Sequence, residues 1–310
     1  MTPAKHAATE SPLPTFSPIV AGAPTQIGAG FTALQFRHDR FAPRAMSPLV
    51  LVDHFHMREP TFDVHPHAGM SAVTLVFEDT EGQMVSRDSI GHNATFGAGD
   101  LHWTLAGRGI LHTQLPVGRA SHIHALQIFV NLPARLKSLA PDSFRVAAHE
   151  MPQIRGDGSR LRVVAGEFAG HASPARTPAP ILMLDGYLDA GAAPVGIPLP
   201  AHWNAWIYLV DGAMTVDRAG TLTAGQALCA DAASGPAILS CRSASAAHFV
   251  VLAGPRIDEP VVQRGPFVFE SEASLALAVA DFQAGRFGEV TLPRPGLEFN
   301  RPDPALPRGV

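Results

Sequence analysis

The stretch that decides the fold is FDVHPHAGMSAVTLVFED, residues 62–79. A short His-Pro-His segment, His65-Pro66-His67, runs through a turn at Ala68-Gly69 into an apolar run, Ser71–Phe77, rich in β-branched residues. That run, closed by Glu78-Asp79, reads as a strand. Alternate residues of a strand share one face, so two histidines at i and i+2 aim their rings into one space. About 45 residues downstream, GAGDLHWTLAGRGILH (97–112) repeats the grammar: a Gly-Asp turn, a strand, a glycine turn at Gly107–Gly109, then His112. As the end of a hairpin partner, His112 brings a third imidazole beside the first two. Three neutral imidazoles suit Fe(II), Cu, Ni or Zn and leave coordination positions open. From spacing alone, His65 and His67 read more readily as polar residues beside a turn, and His112 as a satisfied structural histidine.

Outward from this stretch the chain keeps one texture. FTALQF, LVLVDHF, LHWTLA and ALQIFVNL fill residues 31–132, and LRVVAGEF, PILMLDGYL, NAWIYLVDGAMTV, AILSC and HFVVLAG follow from 161 to 254. Short apolar runs at this spacing, separated by turns, predict sandwich or barrel β-structure. Residues 73–103 are echoed weakly by 207–230: strand, acidic turn, strand, glycine turn, strand. Two copies of one barrel account for the length of 310 residues. The expected arrangement is all-β, with barrels at residues 15–135 and 136–290 and tails at 1–14 and 291–310. One helix is expected over 272–284, with Ser271 as its N-cap and Gly285 just beyond its C-terminus.

Bulk composition narrows the function classes. Apolar residues make up 46% of the chain, enough for a sizeable core, and 28 Gly with 28 Pro read as turns. A net charge of −4 without a basic stripe argues against direct nucleic-acid binding. Cys229 and Cys241 are too few for a disulfide framework. The first residues lack the apolar stretch of a signal peptide and no segment has the length of a membrane span, so a cytoplasmic protein is expected.

The strings 62–79, RDSIG (87–91), 97–112, LQIFVNLP (126–133), DEPVVQRGPFVF (258–269) and DFQAGRFGEV (281–290) together resemble the pirin family. The resemblance runs over most of the chain. It implies a bicupin, two tandem antiparallel barrels of the double-stranded β-helix type. It also implies one mononuclear divalent metal in the first barrel, most often Fe(2+), with Cu, Ni, Zn, Mn and Co left open. Carried over, the ligands are His65, His67 and His112, and the fourth position is Gln114. There the family usually carries glutamate. A glutamine amide oxygen can coordinate, but it is neutral and has no useful basicity. Ser71, where many relatives also carry glutamate, reads as an ordinary strand residue.

Other candidates are weighed beside these. His54 and His56 are read as lining the mouth of the pocket or as surface residues, and His122 and His124 as alternating strand residues. Phe55, Phe62 and Trp103 are candidates to wall an aromatic-substrate pocket, with core packing as the alternative; Asp88 reads as a turn acceptor. Aligning Ile207–Gly212 with Thr74–Asp79 sets Pro198 and Pro200 opposite His65 and His67, so the second barrel is expected to hold no metal; His202 and His248 stand alone. The resemblance implies either a flavonol (quercetin 2,3-) dioxygenase acting on a small aromatic substrate with dioxygen, or a non-enzymatic regulator. The regulator would bind a transcription factor or metabolic enzyme in a metal- or redox-responsive way. A metal-free relic is the third reading.

Overall fold

The structure is a computed structural model describing residues 14–232 and 235–292. The expected tails, 1–14 and 291–310, lie outside the described residues apart from Pro14, Thr291 and Leu292. Among the described residues there are two large antiparallel sheets and one α-helix, Glu272–Gln283. The sheets fold into tandem barrels. In the first sheet the path runs Asp142–Val146, Leu101–Leu105, Met70–Val76, Ile110–Asn131, Leu49–Met57, Phe31–Arg37, Ala23–Ile27. The second carries Gln226–Asp231, Trp203–Val216, Ala247–Pro255, Leu182–Leu188 and Ser159–Ala165 as consecutive neighbours.

The barrels meet back to back. Phe36, Val52, Leu75, Trp103, Leu126 and Ile128 of the first pack with Met183, Trp206, Tyr208, Val250 and Leu252 of the second in one buried apolar cluster. The strand Leu49–Met57 is therefore covered on both faces. Of its even residues, Val52, His54 and His56 face the seam, whereas Val50, beside a register shift, packs with Met70, Ala72 and Val268. Its odd residues, Leu51, Asp53, Phe55 and Met57, face the hollow of the first barrel. This alternation is the period-two geometry of a strand, and it decides where each histidine of the sequence ends up.

Two crossings tie the barrels further. Thr15–Phe16 and Val20–Ala21 pair with Gln226–Asp231 of the second sheet, although they precede the first barrel in sequence. Conversely, Phe267, Phe269, Leu275, Ala278 and Phe287 from the end of the chain pack on Ala68 and Leu111 of the first barrel. Lys137 locks this return: its buried ammonium donates to the carbonyls of Gly69 (2.8 Å) and Val268 (2.9 Å) and to Asn131 Oδ1 (2.6 Å). Gly69 itself has φ +75°, and a Cβ there would stand 2.0 Å from the Val268 carbonyl oxygen. Only glycine fits that turn. The Ser271 side chain caps the helix by accepting from the Ser274 amide (3.2 Å), and Gly285 follows in the left-handed region at φ +72°.

The interior of the second barrel is filled by Ile197, Leu199, Leu209, Met214, Leu222, Leu239, Cys241 and Phe249. Pro198 and Pro200 are exposed, and their inward neighbours Ile197 and Leu199 are apolar. No described helix is long and apolar enough to cross a membrane.

Candidate metal centre

His65–His67 forms a three-residue strand that pairs antiparallel with the start of Ile110–Asn131, setting His112 opposite His65 and Ile110 opposite His67. The hairpin expected from sequence thus forms in the register that stacks the three histidines. Their ring centroids stand 4.7–5.0 Å apart, and one ligand nitrogen from each lies within 4.8 Å of the others. His65 Nε2 and His112 Nε2 are 3.2 Å apart. Two nitrogens sharing a metal at ~2.0–2.1 Å stand roughly 2.9–3.4 Å apart at octahedral to tetrahedral angles. His65 Nδ1–H donates to the Asp63 carbonyl (2.8 Å), which fixes the tautomer that leaves Nε2 with its lone pair. The Nδ1 atom of His112 is buried without a partner, and His67 has the Pro266 backbone beside it.

Burial is the main influence on all three rings. It holds His65 below its ordinary range and His67 and His112 well below theirs, with repulsion among the histidines adding for the latter two. Neutral imidazole is the ligating form, so the donor set fits a borderline divalent transition metal.

Gln114 lies two residues beyond His112, on the wall of the same cavity. Its amide has other partners: Oε1 accepts from Thr74 Oγ1 (2.9 Å), and Nε2 donates to His102 Nδ1 (3.1 Å). Thr74 Oγ1 also lies 3.0 Å from Gln127 Oε1. His102, stacked on Phe96 at 4.7 Å, is buried and was not singled out by its sequence context. Ser71 is a buried residue of the strand Met70–Val76. Asp88 accepts from the amides of Ile90 and His92, as expected of a turn.

The cavity beside the histidines measures about 430 Å³. Phe31, Phe55, Phe62, Phe129, Met57 and Met84 give it flat apolar walls. A cavity of ~300–1,000 Å³ accepts a drug-sized molecule. Phe55 and Phe62 therefore wall the pocket, whereas Trp103 does not. Trp103 is buried in the seam and stacked 5.9 Å from Phe144.

His54 and His56 are not at the pocket mouth. They leave the opposite face of their strand from Asp53 and Phe55, and the alternation that admits one pair excludes the other. His122 and His124 are more than alternating strand residues: the register sets His124 opposite His56, and the four rings meet at the seam. His248 pairs with Asp185 (2.6 Å) and stacks on Tyr187.

A carboxyl also lines the cavity, and nothing in the sequence pattern marked it. Asp53 is largely buried; Gln35 hydrogen-bonds it and Arg37 supplies positive charge nearby, yet Oδ1 has no partner. Burial outweighs both neighbours and pushes the carboxyl up to about 6.

Comparison with known proteins converges on one family. The family described as Pirin matches residues 31–130, and the Pirin C-terminal cupin domain matches residues 183–288. Mouse pirin is 35% identical over 78% of this chain and 83% of its own length. A tomato pirin-like protein is 32% identical over 78% of the chain and 82% of its own. Among solved structures, a quercetin 2,3-dioxygenase from Acinetobacter baumannii superposes with a TM-score of 0.80 at 27% identity, covering 90% of this chain and 100% of that one.

Proposed function

The chain belongs to the pirin family, and from that premise we propose that it is a metal-dependent dioxygenase of flat phenolic substrates of the flavonol class. The observation that carries this reading is the coincidence, in one cavity, of three neutral imidazoles, aromatic walls and a buried carboxyl with one oxygen unpartnered. The likeness to a quercetin 2,3-dioxygenase supports the substrate class.

His65, His67 and His112 are the proposed ligands, with Fe(II) the first candidate and Gln114 a neutral fourth neighbour. When bound, the metal acts as Lewis acid and template for the substrate hydroxyl oxygen. The chain's own residues do the rest. Phe31, Phe55, Phe62 and Phe129 hold the planar rings and exclude water. Asp53 takes over the task a glutamate at position 114 would perform and accepts the substrate's hydroxyl proton. Its elevated titration suits it to that exchange near neutral pH, since a general base works best when its pKa lies near the working pH. Gln114, anchored by Thr74 and His102, keeps the wall beside His112 rigid.

The test is binding before turnover. A flavonol added to the metal-loaded chain should shift its long-wavelength absorption as the hydroxyl ionises, and His112→Ala should abolish the shift. An unchanged spectrum with the loaded wild type would overturn the reading. One observation favours a second reading, a non-enzymatic partner-binding role: a neutral amide stands where the family usually carries glutamate. A regulator of that kind would load metal and leave flavonol untouched.

A further inference from the structure

His54, His56, His122 and His124 form a group that the proposed reaction leaves unused. It sits on the seam side of the strands Leu49–Met57 and Ile110–Asn131, across the sheet from the cavity. We propose that His54, His56 and His124 form a second metal site, taking a borderline divalent transition ion such as Zn2+, at the junction of the two barrels.

Convergence is the first support. One ring nitrogen from each of the three lies within 4.8 Å of the others, and the His56 and His124 rings stack at 4.3 Å. Orientation is the second. Both carboxylate oxygens of Asp79 lie 2.8 Å from His124 Nδ1. A carboxylate only accepts, so Nδ1 carries the hydrogen and Nε2 keeps its lone pair, the carboxylate–histidine arrangement that accompanies metal ligation. His54 Nδ1 pairs with the Tyr208 hydroxyl of the second barrel, which can donate or accept. The two Nε2 atoms face each other at 2.6 Å. With the hydroxyl accepting, both Nε2 atoms present lone pairs to each other and a cation must lie between them; with the hydroxyl donating, His54 Nε2–H bonds His124 Nε2 without one.

A neutral hydrogen-bonded chain is one arrangement, with the Tyr208 hydroxyl donating to His54 Nδ1 and His54 Nε2–H donating to His124 Nε2. A metal is the other, and it would spread the nitrogens by a few tenths of an ångström to the roughly 2.9–3.4 Å of shared ligation. The third imidazole favours the metal, because a proton shared by two nitrogens has no use for His56. Arg58 lies 3.4 Å from His122 Nε2 and flanks the cluster with positive charge on that side. His122 is therefore an outer partner of His56, whose Nδ1 is 3.1 Å from His122 Nε2. His248 adds a further ring behind Phe77, held by Asp185. A surface groove of about 360 Å³ bordered by His54 and His56 gives an ion access, and both strands are rigid parts of the sheet.

The site is independent of the pocket, and one experiment separates them. Tag-free full-length protein is dialysed against Zn2+ at neutral pH and metal per chain is measured by elemental analysis. The set is the wild type, His112→Ala, the double variant His54→Gln/His124→Gln, and Asp79→Asn. His112→Ala should retain about one zinc per chain, and the double variant should lose that zinc while keeping the pocket ion. Asp79 is exposed, so its amide variant should fold normally and bind the seam ion ~10–100-fold more weakly. If the double variant does not fold, Asp79→Asn alone decides. A His112→Ala protein that binds no zinc, or an Asp79→Asn protein that binds as tightly as its parent, overturns the proposal.

Discussion

Asp53→Asn perturbs the cavity through its least expected residue. The carboxyl sits in the first barrel with Oδ1 partnerless and titrates near 6 rather than at the ordinary 3.8. A raised carboxyl means that the folded chain holds this proton more tightly than the unfolded one. The resulting stability is present in full below the ordinary value and is lost as pH rises through 6. At pH 8 the ionised folded state carries a penalty of about 3 kcal/mol, at ~1.4 kcal/mol for each pH unit of difference. Asparagine is neutral throughout and escapes it. Urea unfolding of metal-free wild type and variant between pH 4 and pH 8 should show the variant gaining on its parent by roughly 2–3 kcal/mol. Turnover should move the other way: loss of a proton acceptor costs about 10²–10⁴-fold. Wild-type turnover should rise with pH through 6, and the variant should lose that limb. A stability difference that stays flat from pH 4 to pH 8 would refute the buried-acid account. Equal turnover in both proteins would remove Asp53 from the reaction.

Gln114→Glu should tighten the pocket metal by about tenfold or more, ~1.4 kcal/mol, because a carboxylate restores charge attraction in a partly dry barrel. It should also raise flavonol turnover, and identical metal affinity by competition dialysis would show that the side chain at 114 stays with Thr74 and His102. Gly69→Ala forces a Cβ to 2.0 Å from the Val268 carbonyl at φ +75°, which should cost about 2–4 kcal/mol in urea unfolding. A loss under 1 kcal/mol would mean that the returning C-terminal segment does not bear on this turn.

The pocket histidines were legible because a local rule governs them. His-Pro-His leads into a strand, a glycine turn returns the chain, and the hairpin register then sets His112 opposite His65. The helix was legible through Ser271 and Gly285. Of the two readings offered for His54 and His56, the pocket mouth fails for a physical reason. Periodicity says which residues share a face but not which face points inward, and on Leu49–Met57 both faces are covered, so the alternation His54-Phe55-His56-Met57 does not say which pair meets the cavity. Asp53 was missed on the same strand, because its burial depends on distant Phe31, Phe62 and Phe129 closing the cavity. The two crossings were equally hidden: Thr15–Phe16 finds its partner more than two hundred residues downstream, at Ala230–Asp231, and no local signal reports such a pairing.

The central claim, that the histidines of the first barrel hold a metal which turns over a flavonol, is tested most directly by oxygen uptake. Fe(II)-loaded wild type and His112→Ala are each supplied with a flavonol in an oxygen electrode. The account predicts one dioxygen consumed per flavonol by the wild type and background uptake by the variant. Wild-type uptake at background, with metal bound in the pocket, would contradict it.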